Sequence, residues 1–260
     1  MTKLIILLAT TLLSLVVSAQ VSEKRTVSDF SNLKVATGVQ VSYTISNSKS
    51  ILVETDDNEK LQFIKTEVEN GALKIFIDMG SENYKCSKKR KSSRNNIKFN
   101  ILKVTIFGPS LKSFKASSSG QIKIENLNAS DDLEIGASSS GSISGKFKAT
   151  TISVDVSSSS KFKADVEAKL VVLESSSSAE IEIRGKAEKV TASSSSSSSC
   201  NTKDLVVETA EVKVSSSADI SVYASKSLDA KASSSGTIFY YGNPAQVFAD
   251  KSSSGSVNRK

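Results

Sequence analysis

The sequence predicts an all-β fold: a parallel β-helix with about nineteen residues per coil and an irregular N-terminal cap. Three observations predict it. Serine blocks recur along the C-terminal part of the chain with a near-constant step. Apolar residues alternate with polar ones on both sides of each block, which is the period of a strand with one buried face. No window carries the 3.6-residue apolar period of a helix.

Residues 1–19 read as a signal peptide. Lys3 supplies a basic start, Leu4 to Val17 is almost unbroken apolar sequence, and Val17-Ser18-Ala19 is a small-residue cleavage site. The apolar run is short for a bilayer span of about 20 residues, and no later run could span. No cysteine stands directly after the cleavage site, where Gln20 is found, which argues against a bacterial lipoprotein anchor. The mature chain, starting at Gln20, is expected to be exported to the periplasm, the outer surface or the medium.

Residues 20–110 are expected to hold the cap and the first, irregular coils, continuous with residues 111–260 as one domain. Leu33/Val35, Val39/Val41/Tyr43, Leu73/Ile75/Ile77 and Leu102/Val104/Ile106 alternate as strands, and Asn70-Gly71 is a turn signal. Leu61–Val68 reads as a short helix or another strand. Lys85, Lys88, Lys89, Arg90, Lys91 and Arg94 form a basic run between strands. It reads as a solvated hairpin tip or as a patch for anionic surfaces.

Residues 111–260 carry the serine-rich coils. Triplets begin at Ser117, Ser138, Ser157, Ser176, Ser193, Ser215, Ser233 and Ser252. So short a unit excludes propeller blades of roughly 40–50 residues, and neither the leucine-rich nor the glycine–aspartate calcium repeat is present. A parallel β-helix remains, its coils about 4.8 Å apart. Ser118, Ser139, Ser158, Ser177, Ser194, Ser216, Ser234 and Ser253 are then expected to stack as a ladder, each hydroxyl donating to the next. Gly120, Gly141, Gly236 and Gly255 suit a turn that needs positive φ or close backbone approach. Ser193–Ser199 breaks the pattern. It puts Ser198 and Cys200 where Ile122 and Ile124 sit, and predicts an insertion around Asn201–Thr209 and a locally weak coil.

Composition narrows the chemistry. Serine fills about one position in five and histidine is absent, which excludes Ser-His-Asp and Cys-His mechanisms. Two cysteines, Cys86 and Cys200, cannot build a four-cysteine zinc site. They read as free thiols, with a disulfide as the alternative. A net charge of +7 does not by itself indicate nucleic-acid binding. The carboxylate pairs Asp56/Asp57 and Asp131/Asp132 lack a substrate cleft lined with aromatic platforms. Ser158 to Lys161 matches SxxK, but that motif needs a helix, and this segment reads as a turn into a strand. No catalytic, metal or cofactor site is assigned.

The expectation is therefore an exported, non-catalytic β-helix for adhesion or envelope scaffolding. Its expected partners are surface glycans or envelope components, with end-to-end or side-by-side homo-oligomers. A polysaccharide-binding or polysaccharide-cleaving β-helix is the alternative.

The order of segments also carries a resemblance. Arg25-Thr26-Val27, Phe30 and Leu33-Lys34-Val35 lead to Gly38-Val39-Gln40-Val41, Leu52-Val53-Glu54 and Asp56-Asp57. Gly71-Ala72-Leu73-Lys74-Ile75 and Val104 through Pro109 to Leu111 follow, then Ala116-Ser117-Ser118-Ser119-Gly120. This resembles the head domain of autotransporter adhesins, the GIN domain, across essentially all of the mature chain. The resemblance implies a right-handed β-helix and raises adhesion as a role. The chain departs from it where Ser160, Ala179, Ser196 and Ala218 replace the glycine after the serines.

Overall fold

The computed structural model describes residues 21–79 and 98–260. The expected signal peptide, Cys86 and the basic run from Lys85 to Arg94 lie outside the described residues. The chain forms a parallel β-solenoid of about eight turns with about nineteen residues per turn, as the periodicity predicts.

β1 (Val21–Arg25) precedes β2 (Asn32–Val35) and β3 (Gln40–Ile45), which form the first coil. β4 (Ser50–Thr55), a 3₁₀ turn at Asn58–Phe63, β5 (Ile64–Glu69), β6 (Ala72–Ile77) and β7 (Leu102–Gly108) follow. The ambiguous stretch from Leu61 thus ends a 3₁₀ turn and enters a strand. β6 and β7 lie parallel on β2 and β3, and β5, β4 and β1 close that end in antiparallel pairing. The chain then passes to the other side of the first coil. There β8 (Ser113–Ala116) pairs with β2, and β9 (Gln121–Ala137) with β3.

Coils now stack in register through β10 (Ser142–Val156), β11 (Lys161–Ser175), β12 (Glu180–Ser194) and β13 (Ser199–Val214). Each of these long strands makes two legs joined by a bend. In β11 the buried side chains are Phe162, Ala164 and Val166, then Val171, Leu173 and Ser175. The change of parity turns both legs toward one core. β14 (Asp219–Tyr223), β15 (Ser227–Ala232), β16 (Thr237–Tyr241), β17 (Gln246–Lys251) and β18 (Ser256–Arg259) continue the stack as separate legs.

Equivalent apolar residues therefore stand in columns. Ile122, Ile143, Phe162, Ile181, Cys200, Ile220, Ile238 and Val257 form one. All are buried, and burying each large side chain stabilises the fold by about 1.5–3 kcal/mol. At the cap end the rings of Tyr43, Phe114, Phe147 and Phe162 follow one another in edge-on and tilted contacts, 5.9–6.0 Å between centroids. Tyr43 donates its hydroxyl proton to the Pro109 carbonyl at 2.7 Å. Burial raises its pKa.

The serine turns differ from the expectation in three ways. First, positive φ falls on the second and third serines, as at Ser118 (48°) and Ser119 (63°), not on the following glycine. With Gly120 N–H bonded to the Ser117 carbonyl at 2.8 Å, this is the turn type in which both central residues are left-handed. The glycines answer the close approach instead. A Cβ on Gly141 would sit 2.5 Å from the Ala116 carbonyl oxygen. Where Ser160 stands at that place, its hydroxyl bonds the Ala137 and Ser157 carbonyls at 2.8 and 2.6 Å.

Second, backbone amides tie the turns together. Ser159 N–H donates to the Ser177 carbonyl and Ser178 N–H to that of Ser196, both at 3.0 Å. The side chains at the left-handed positions are exposed.

Third, the block at residues 193–199 shifts by two. Ser118, Ser139, Ser158, Ser177, Ser216, Ser234 and Ser253 take the first left-handed position, and in this coil that position belongs to Ser196, not Ser194. Ser194 ends β12, buried, and its hydroxyl bonds that of Ser175 one coil away. Cys200 accordingly takes the place of Ile122, Ser198 that of Gly120, and Thr202 that of Ile183. A run of identical residues carries no frame of its own. The frame is set by which apolar side chain reaches the core column. The added residue appears as a register shift opposite Glu182/Arg184.

Candidate functional site

Many outward-facing charged residues on the long strands are paired across coils. Lys161–Glu180 (2.6 Å), Lys163–Glu182 (2.8 Å), Lys148–Glu167 (2.9 Å) and Lys189–Glu211 (2.6 Å) are examples. Each such pair contributes at most about 1 kcal/mol. They account for much of the charge without any ligand.

The acidic pairs and the SxxK match set aside above occupy a cap, an ion pair, an exposed strand face and a turn. Asp57 accepts the Glu59 N–H at 3.0 Å and caps the 3₁₀ turn. Asp56 holds Lys60 at 2.7 Å and Asn100 at 2.9 Å, and the Lys60 hydrogen bond pulls its carboxyl well below the usual range. Asp131 and Asp132 are both exposed on β9. Ser158 is an exposed turn residue, and Lys161 starts a strand with its pKa raised by the Glu180 hydrogen bond. A lysine acting as base needs the opposite shift. Cys200 is a free, buried thiol pushed up to about 12 by desolvation. Among the described residues no cluster of three acidic or cysteine side chains could hold a metal ion.

One recess of about 690 Å³ opens on the outer face of the second legs, where the cap meets the coils. Its floor is a single register column. Lys74 (β6), Lys34 (β2), Lys115 (β8), Gly136 (β9), Asp155 (β10) and Glu174 (β11) stand side by side on successive strands. Alternation dictates this orientation, since Leu33 and Val35 flank Lys34 and point into the core.

Two of the lysines are engaged. Lys74 pairs with Glu69. Lys115 reaches Glu134 at 2.7 Å by lying over Gly136, where an added Cβ would touch its Cγ at 3.4 Å. The hydrogen bond from each lysine lowers the pKa of its carboxylate, and Lys34 adds to both effects through space. Lys34 itself makes no ion pair with a described residue. Half-buried Phe76 forms one wall, and Ser117, Ser138 and Ser157 edge the recess.

Sequence reasoning did not find this site. The lysines are far apart in the chain and meet only because β6 and β8 flank β2. A signal existed in the thrice-repeated apolar-Lys-apolar pattern of Leu33–Val35, Leu73–Ile75 and Phe114–Ala116. A second recess, of about 840 Å³, runs along the bend past Ser130, Ala149, Ala168 and Ala187. It is lined by small side chains and rimmed by charge.

The solenoid is similar to solved structures. A putative adhesin from Parabacteroides distasonis superposes with a TM-score of 0.82 at 21% identity, over 93% of this chain and 97% of that one. A putative adhesin from Parabacteroides merdae gives 0.80 at 18% identity, over 93% and 96%. A putative lipid binding protein from Parabacteroides distasonis gives 0.79 at 24% identity, over 93% and 96%. These likenesses establish a shared fold. No curated protein is similar enough to count as a relative. The family model described as "Putative auto-transporter adhesin, head GIN domain" matches residues 29–165 and 142–244. The match spans most of the solenoid, cap and serine coils alike, and the chain belongs to that family.

Proposed function

We propose that this protein is an exported, non-catalytic solenoid that attaches to surface glycans or envelope components. One observation carries the reading: the outer face of the second legs holds a recess with an aromatic wall, serine hydroxyls and the Lys34 ammonium, which makes no ion pair with a described residue. Membership of an adhesin-named family supports it and points to a surface or exported protein. Among the described residues no helix is long and apolar enough to cross a membrane. In the test, purified residues 20–260 are incubated with bacterial envelope material and host-cell glycans. Saturable binding absent from a heat-denatured control is expected. Binding equal to that control would sink the proposal.

Polysaccharide cleavage remains the alternative, and its carboxylates would be Asp155 and Glu174, neighbours in the recess. Both are exposed to water, whereas a general acid is held in a site that excludes it. Turnover of polysaccharide, lost in Asp155→Asn, would reverse the ranking.

A second reading is end-to-end assembly. It is favoured by β17, which is exposed along its whole length, with Val247 and Phe248 at 42% and 64%. Such an edge is a template for strand addition. Light scattering across concentrations is expected to show association that Val247→Lys abolishes. A constant monomer mass would exclude it.

A further inference from the structure

We propose that the recess is a subsite for an acidic sugar followed by a neutral one, with Lys34 holding the carboxylate; this rests on the adhesion reading above. The charge order along the floor column sets the ligand's direction. Lysines occupy the cap end, Gly136 leaves a gap, and Asp155 and Glu174 occupy the far end. Three strand spacings separate Lys34 from Asp155, about 14 Å, which is the scale of a short oligosaccharide.

A ligand carboxylate meets its lowest cost beside Lys34, because Lys74 and Lys115 are already neutralised by Glu69 and Glu134. Phe76 stands next to Ala36 at the same end, since Ala36 N–H bonds the Ile75 carbonyl at 2.9 Å. Its half-buried ring offers an apolar face to a sugar ring. At the other end Asp155 and Glu174 are hydrogen-bond acceptors only. They suit the hydroxyl donors of a neutral sugar and repel a second carboxylate. The recess therefore discriminates by charge spacing: one anionic unit is accommodated, and an anion on every unit is not.

Titration calorimetry on residues 20–260 tests this with three tetrasaccharides. One alternates uronate and neutral sugar, one is uronate throughout, and one is neutral. The alternating tetramer is expected to bind best. Lys34→Glu is expected to weaken it about tenfold, equivalent to about 1.4 kcal/mol, and to erase its advantage over the neutral tetramer. Phe76→Ala is expected to weaken the alternating and neutral tetramers alike. Lys213→Glu is the control. It stands in the same column, opposite Ser193, beyond the recess, and is expected to change nothing. Thermal melts of each variant exclude misfolding.

Equal binding by the all-uronate tetramer, or unchanged affinity in Lys34→Glu, overturns the subsite. So does binding to anionic lipid vesicles with none to any tetramer. The two proposals fail separately. Envelope attachment that survives Lys34→Glu keeps adhesion and removes the subsite. Tetramer binding without envelope attachment does the reverse.

Discussion

Among the described residues sixteen serines sit in the left-handed region, two in each of eight turns. An L-residue there costs roughly 1–2 kcal/mol, so the surrounding ladder must hold the turns in place. Serine tolerates the conformation at lower cost than a β-branched residue, although Thr37 adopts it in the first coil at φ 54°. Ser158→Val is expected to destabilise the protein by about 2 kcal/mol and Ser158→Asn by less than about 0.5, because asparagine tolerates that region. Urea unfolding of the two variants checks this. Asp56 makes a pH prediction. Its carboxyl is lowered in the folded protein by the Lys60 hydrogen bond. The stability it contributes is complete above the unfolded carboxylate range near pH 4 and declines as pH falls below it. Asp56→Asn is expected to flatten the acid limb of stability against pH. An unchanged limb would show that the pair contributes nothing.

At the scale of elements, the boundary between cap and coils depends on two asparagines that imitate a strand. Asn126 accepts the Ile45 N–H at 2.8 Å and donates to its carbonyl at 2.9 Å. Asn128, fully buried, does the same for Leu111 at 2.8 and 3.0 Å. Both complete the pairing where β9 bends away from its neighbour. Asn128→Ala leaves a buried donor and acceptor unsatisfied, so a loss of about 2–4 kcal/mol is expected by denaturation. Asn126, which is exposed, is expected to cost less. The cap's antiparallel pairing was hidden in the sequence. Alternation marks which face of a strand is buried and says nothing about its partner. The Asn70-Gly71 turn was the exception, because both residues take positive φ, the chemistry its sequence announces.

For the whole molecule, the core is one continuous stack, and the Cys200 thiol lies inside it. With its pKa raised to about 12 by burial, it is expected to resist iodoacetamide at pH 8 in a Cys86→Ser background. Labelling should track global unfolding by circular dichroism. Rapid labelling of the native protein would show that this coil opens locally, the weakness expected there from the sequence. The sequence by itself determined the strands of the serine coils, their buried faces and the nineteen-residue coil. These depend on local alternation and a repeat that any stacked chain must keep in register. Only the tertiary structure decided the frame of the 193–199 serine run, the identity of the turn's left-handed residues and the grouping of Lys34, Lys74 and Lys115. The physical reason is the same in each case. Frame and neighbourhood are set by which side chains fit the core column and which strands lie beside one another, and both are long-range contacts that no local pattern records.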